Sequence, residues 1–342
     1  MSLKNNRIIQ FDALRVIAAL AVVWLHTSAQ RFYVCYPSYE WNVRNFNDSL
    51  VRWSVPIFVM ISGALFLDSK KVTDIKILYT RNIIRIILIF IFWSIIYGAY
   101  NGFEGGELID LIQGPFHFWF LKMLIGLYIS VPFLKAIVNN RKLEQYFLCL
   151  SLITAFIVQP FFPLIGYISD VARDVVENYY NELEIKITSG YLGYFVLGHY
   201  LTNNFIKETA KKVICILGIM SIVTVSVLTS IASSILGKPC LFFYDNINIF
   251  TLIEALALFI FLKDMQISPK YHIFIVSASK LSLGIYIIHP LVLSIFYDWG
   301  KIHSASLNPL FFVPVFSLLV FVVSILLVFV LTKIPIINKF VM

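Results

Sequence analysis

Arg15 and His26 stand eleven residues apart in the first apolar segment, within the runs Phe11-Asp12-Ala13-Leu14-Arg15 and Trp24-Leu25-His26-Thr27. At about 100° per residue, eleven steps along an α-helix return to within roughly 20° of the starting direction. The two side chains therefore share one face, about 16 Å apart along the axis. Ionisable groups inside a membrane are costly, so each is a functional candidate. Imidazole titrates near neutral pH and serves as proton acceptor or nucleophile. That makes His26 the candidate catalytic group and Arg15 its companion across the helix. Asp12 lies one turn before Arg15, placed to pair with it. The plainer alternative is an Asp12–Arg15 pair that locks packing, with His26 at the interface.

Further groups fall in later apolar segments. His117 opens one in His117-Phe118-Trp119-Phe120-Leu121, and His289 lies in Ser282-Leu283-Gly284-Ile285-Tyr286-Ile287-Ile288-His289-Pro290. Tyr286 and His289, three residues apart, face one direction on a helix, and Pro290 loosens that helix by removing a backbone donor. His117, Trp119, Tyr286 and His289 are thus candidates for substrate contact or oxyanion stabilisation. Glu254, in Thr251-Leu252-Ile253-Glu254-Ala255, is either a partner for these groups or a hydroxyl acceptor. Its structural alternative is a protonated packing residue. Arg81 and Arg85 fall one turn apart, a spacing suited to phosphate and equally to ordinary anchoring at a cytoplasmic surface. The sequence has no Gly-rich phosphate loop, no nucleophile elbow and no metal-ligand cluster. The four cysteines are scattered; Cys149 and Cys215 read as packing residues, and a Cys35–Cys240 pair is left open.

Apolar segments must position all of these residues. The chain has 342 residues, 59% of them hydrophobic and only 13% charged, more apolar surface than one water-soluble core hides. Segments near 9–29, 50–67, 83–100, 116–138, 146–165, 190–206, 213–236, 248–264, 281–299 and 309–332 approach the roughly 20 residues that cross a bilayer. Their uniform apolarity predicts an all-α polytopic bundle of about ten transmembrane helices and excludes a membrane barrel. The first segment, with Asp12 and Arg15 inside it, reads as a retained helix and not as a cleaved leader.

Lysine and arginine collect in alternate connections: Lys4, Arg7, Lys70, Lys71, Lys76, Arg81, Arg141, Lys142, Lys207, Lys211, Lys212, Lys270, Lys280, Lys333 and Lys339. The opposite connections hold Glu104, Glu107 and Asp110, then Asp170, Asp174, Glu177, Glu182 and Glu184, with few cations, Lys301 among them. This bias places both termini in the cytoplasm. The net charge of +8 then reports topology, and nucleic acid is not an expected partner. No internal repeat or linker divides residues 1–342, which read as a single transmembrane domain.

These residues resemble the acyltransferase-3 family of integral membrane acyltransferases, particularly its short forms that O-acetylate surface polysaccharides. Arg15 and His26 match the family's first-helix pattern of an Arg, ten intervening residues and a His. Arg52-Trp53-Ser54-Val55-Pro56-Ile57-Phe58-Val59-Met60-Ile61-Ser62-Gly63 is similar to its second-helix stretch. The runs around His117 and from Ser282 to His289 are similar to two later motifs, in the family's order. Ala64-Leu65 departs from the usual aromatic, and the spaced Arg81 and Arg85 stand where a tandem arginine is common.

The resemblance implies a multi-pass acyltransferase of the bacterial inner membrane with no bound cofactor. Its co-substrate would be cytoplasmic acetyl-CoA, and its acceptor a hydroxyl of an O-antigen-like or other lipid-linked surface glycan. Arg15, Arg81, Arg85 and Asp12 would then serve the polyanionic donor. His26 would act as general base or transient acyl carrier. Tyr33, Tyr36, Tyr39, Trp41 and the acidic connection 166–189 are available to a sugar or to the membrane interface. Partners are the donor, the glycan, the bilayer and, if it assembles, a second copy in a homo-oligomer. A transporter or flippase of a lipid-linked saccharide would use the same polar groups without a covalent step. A non-enzymatic partner of a polysaccharide synthase is a third reading. Succinyl or a longer acyl group in place of acetyl is also open, since a pocket separates methylenes by only about 1–3 kcal/mol.

Overall fold

No water inside a bilayer satisfies backbone N–H and C=O groups, so apolar runs of this length persist only as internally bonded helices. The computed structural model describes residues 7–68, 74–103, 106–298 and 308–341, which are helical and contain no β-strand. Lys4, Lys70, Lys71, Glu104 and Lys301, together with the side chain of Glu107, lie outside the described residues.

The chain opens with α1 (Ile9–Ala29), α2 (Tyr39–Ser49) and α3 (Ser54–Phe66). Next come α4 (Ile75–Ile77), a π-helical turn (Leu78–Ile83), α5 (Ile84–Asn101) and α6 (Glu107–Gln113). A 3-10 turn (Phe116–Phe118) leads into α7 (Trp119–Val138). One bent span comprises α8 (Arg141–Ser151), a second π segment (Leu152–Val158) and α9 (Gln159–Ile168). Then follow α10 (Asp170–Glu182), α11 (Leu192–Asn203), α12 (Glu208–Leu236) and α13 (Ile249–Lys263). The chain closes with α14 (His272–Asp298), α15 (Pro309–Leu331) and α16 (Asn338–Val341).

Among the described residues, nine helical segments, counted through their breaks, are long and apolar enough to cross a membrane. The tenth expected segment, 190–206, forms α11 with only 12 residues, about 18 Å at the helical rise against a core of about 30 Å. It lies against α3, with Tyr194, Phe195 and Val196 wholly buried. Two glycines set that approach. A Cβ added at Gly63 would collide with the Phe195 carbonyl, and one at Gly198 with the Met60 carbonyl. Small residues let membrane helices touch backbone to backbone. Gly63→Val is therefore expected to push α11 off α3 and destabilise the bundle by about 1–3 kcal/mol or more. An earlier thermal unfolding midpoint in detergent, relative to the parent chain, would register it.

The second span begins earlier than its apolar core suggests, because α2 is polar yet buried: Arg44, Asn45, Asn47, Asp48 and Ser49 are all inaccessible. These residues finish α1. Arg44, completely buried, donates to the carbonyls of Thr27 (3.4 Å), Ser28 (3.4 Å) and Gln30 (2.8 Å), the orphan acceptors of a helix C-terminus. Glu40 pairs with it at 3.0 Å. Trp24 donates to Asn47 at 3.0 Å and Ser28 to Asp48 at 3.2 Å. Between α2 and α3 the helix breaks at 50–53, and the break carries Arg52.

Arg7 and Lys339 line one cavity, so the two ends of the described chain meet at the same end of the bundle. That end is basic; the opposite end of α1 carries His26.

Candidate active site

At the basic end, Asp12 is the organising group. It is 1% exposed and accepts two bonds from Arg7, at 2.5 and 2.9 Å. It also accepts one from Ser279 of α14 at 2.6 Å, and Arg15 approaches it to 3.6 Å. The bond to Asp12 holds the Arg7 guanidinium charged, above its already high range. Arg7, Arg15, Arg85, Lys280 and Lys339 surround a cavity of about 660 Å³ whose wall includes no carboxylate among the described residues. Five cations with no anion on the wall among the described residues suit a polyanion.

At the other end, His26, His117 and Tyr286 line a smaller cavity of about 170 Å³ together with Arg52, Trp119 and Asn246. The His26 ring lies 5.1 Å from that of His289 and 5.4 Å from Phe116, centroid to centroid. His117 sits 6.0 Å from His289 and 5.6 Å from Tyr286. Three imidazoles thus converge from α1, the 116–118 turn and α14.

Their hydrogen bonds differ in kind. His289 Nδ1 faces the Ile285 carbonyl at 3.1 Å, and His117 Nε2 faces the Ile287 carbonyl at 3.2 Å. A carbonyl only accepts, so these nitrogens carry protons; in the neutral rings the opposite nitrogens hold lone pairs. His289 Nε2 and His117 Nδ1 are buried with no hydrogen-bond partner among the described residues. His26 is half-buried and meets its neighbours through ring contacts.

Pro290 explains how α14 serves this site. Lacking an N–H, it opens the helix, and the Tyr97 hydroxyl enters the gap. Leu291 N–H donates to Tyr97 Oη at 3.2 Å, and Tyr97 donates onward to the Ile287 carbonyl at 2.7 Å. The same carbonyl meets His117, and Tyr286 donates its hydroxyl to the His117 carbonyl. The Tyr286 hydroxyl is therefore spent on the backbone, where a role as oxyanion donor had been open.

A family model described as an acyltransferase domain matches residues 8–331. The chain belongs to the acyltransferase-3 family. No curated protein and no solved structure matches it. The matched region contains the first-helix Arg15 and His26, both cavities except for Arg7, Asn338 and Lys339, and every candidate residue drawn from the sequence.

The acyltransferase brings together Asp12, Arg15 and Arg85 at one end and His26, His117, Trp119, Tyr286 and His289 at the other. Two candidates stand apart. Arg81 is exposed and is not on the wall of the basic cavity, because the π turn at Leu78–Ile83 breaks the helical period that its spacing from Arg85 assumes. Glu254 is buried in α13, off the walls of both cavities, with neither carboxyl oxygen hydrogen-bonded among the described residues. The four cysteines are all thiols.

Sequence reading missed Arg7, Arg52, Tyr97, Lys280 and Lys339 as site residues. Arg52 had a readable signal: Asp48 stands four residues before it, and the two form an ion pair. For Tyr97 no signal existed, since its role depends on a helix 190 residues away. Tyr97→Phe is expected to leave the Leu291 N–H unsatisfied and cost about 1–3 kcal/mol. A lowered unfolding midpoint in detergent would check it.

Proposed function

We propose that this membrane acyltransferase moves an acetyl group from cytoplasmic acetyl-CoA to a hydroxyl of a surface-glycan sugar, O-antigen-like or otherwise lipid-linked. It would sit in the bacterial inner membrane with its basic end and both termini in the cytoplasm. One observation carries the reading: a single helix presents Arg15 to a cavity ringed by five cations and, about three turns on, His26 to a cavity also lined by His117, with His289 in ring contact with His26. The first suits the phosphates of coenzyme A, held by Arg7, Arg15, Arg85, Lys280 and Lys339. The second suits activation of a hydroxyl. The pantetheine arm would bridge the roughly 16 Å between them.

In this reading His26 takes the proton as the sugar oxygen attacks the thioester carbonyl. The C–O bond forms, the C–S bond breaks, and the departing thiolate recovers a proton. Arg52, whose buried Nε has no acceptor among the described residues, would offer that N–H to the oxygen where the oxyanion develops. His117 and His289, each with one ring nitrogen unbonded among the described residues, would relay or share its proton.

Membranes holding the full chain, given radiolabelled acetyl-CoA, test this. Label recovered in the extracted glycan supports acetyl transfer. Glycan that crosses the membrane with no label in it would favour the flippase reading, and label arising only from longer acyl donors would move the donor assignment.

A further inference from the structure

A third cavity, about 740 Å³, opens at the histidine end and takes no part in the chemistry above. Its wall includes Arg52, Asp48, Tyr244, Gln159, Arg173 and Glu177. Arg52 also lines the histidine cavity, so the two spaces share it as a wall residue. Its guanidinium is fixed in place. It pairs with Asp48, donates to the Tyr244 carbonyl at 2.9 Å and lies 4.0 Å over the Tyr244 ring centroid.

The charge pattern is opposite to that of the basic cavity. Both arginines here are already neutralised: Arg52 by Asp48, and Arg173 by Asp170 at 3.0 Å and Asp174 at 2.9 Å. An anionic ligand would find no uncommitted cation among the described residues of this wall. What remains are acceptors and faces. Gln159 Oε1 is buried with no donor among the described residues, Glu177 offers an exposed carboxylate, and the exposed Tyr33 and the buried Phe162 line the space. Carboxylates and amide oxygens accept from hydroxyls, while aromatic faces receive the apolar side of a flat, hydroxyl-rich ring. A volume of about 740 Å³ falls in the range of small-ligand sites, whereas about 170 Å³ beyond Arg52 admits only the reacting edge.

We infer that the large cavity is the acceptor site and holds an uncharged saccharide unit, whose reacting hydroxyl passes Arg52 to reach His26. The inference rests on the acyltransferase reading. It adds the acceptor's location and charge class, and it assigns Gln159, Glu177 and Arg52 to acceptor recognition.

The test uses the full chain, radiolabelled acetyl-CoA and the producing cell's extracted glycan, separated by charge and titrated as acceptor. Glu177→Ala on the exposed rim and Gln159→Leu deeper in are each expected to raise the acceptor KM about tenfold, the size of one lost hydrogen bond to a charged or buried group. The acetyl-CoA KM should stay at the parent value. The uncharged glycan fraction should take the label. If Glu177→Ala and Gln159→Leu both keep the parent acceptor KM, or if only an anionic fraction is labelled, the assignment is overturned. Should Gln159→Leu fail to insert, the rim variant and the charge separation still decide it. A parent chain that labels no fraction at all overturns the acyltransferase reading itself, and the acceptor site with it.

Discussion

Alanine at His26 is expected to reduce acetyl incorporation into glycan by roughly a hundred- to ten-thousand-fold, the usual contribution of a general acid–base group, with the protein still inserted and folded. The second half of that expectation comes from how the three histidines are held. His117 and His289 each bond a backbone carbonyl of α14, so removing either disturbs the opened turn at Pro290 as well as the chemistry. Among the described residues His26 meets its neighbours by ring contact, and its truncation leaves none of their carbonyls or carboxylates bereft. Activity should therefore fall in the His26 variant without a matching fall in unfolding midpoint, whereas His117→Ala and His289→Ala should lose both together. Equal labelling by parent and His26→Ala would reduce His26 to a packing residue. A labelled chain trapped by rapid denaturation would assign His26 the role of acyl carrier in place of general base.

Much of this arrangement was legible in the sequence. The spans followed from apolar runs, and the shared face of Arg15 and His26 from the helical period. Where the period failed, so did the inference. The π turn before α5 separates Arg81 from the cavity that Arg85 lines, and no sequence rule marks a π turn of this kind. The second span was misjudged at its start, since Arg44, Asn45, Asn47 and Asp48 read as loop by polarity. Burial against α1 and α12 overrides that reading; Asn45, for example, donates to Ser226 of α12 at 2.8 Å. Arg52 was visible inside a motif yet unassigned, because a cation at a helix end is ordinarily an anchor. Only the structure shows it standing between two cavities. Of the four aromatics offered to a sugar, Tyr33 alone reaches the outer cavity. Tyr36 is spent on the Ser233 carbonyl at 2.7 Å, and Trp41 is packed on Phe32 at 5.2 Å.

Asp12→Asn separates two accounts of the basic cavity that predict opposite signs. If donor binding depended on net charge alone, removing a carboxylate from among five cations would strengthen the hold on a polyanion. The geometry argues the reverse. Asp12 accepts a two-bond clamp from Arg7, one bond from Ser279 and the approach of Arg15. An amide in its place offers one acceptor oxygen and one donor group that repels both guanidinium groups. Arg7 and Arg15 then lose the anchor that aims them, and two long side chains regain rotamer freedom that donor binding must remove again. Long-range attraction, by contrast, is damped over about 8–10 Å at ordinary ionic strength. Orientation should therefore prevail, and the acetyl-CoA KM should rise roughly ten- to a hundredfold, as expected for about 1.4–2.8 kcal/mol of lost positioning. Ser279→Ala is the control. It removes the tie between α1 and α14 and one hydroxyl from the cavity wall but leaves the Arg7–Asp12 clamp, so it should lower the unfolding midpoint by an amount typical of one hydrogen bond while moving the donor KM far less. A tighter donor in Asp12→Asn would show that the cations act as an unstructured field. Equal KM shifts in the two variants would show that helix docking, and not the aim of Arg7 and Arg15, sets donor affinity.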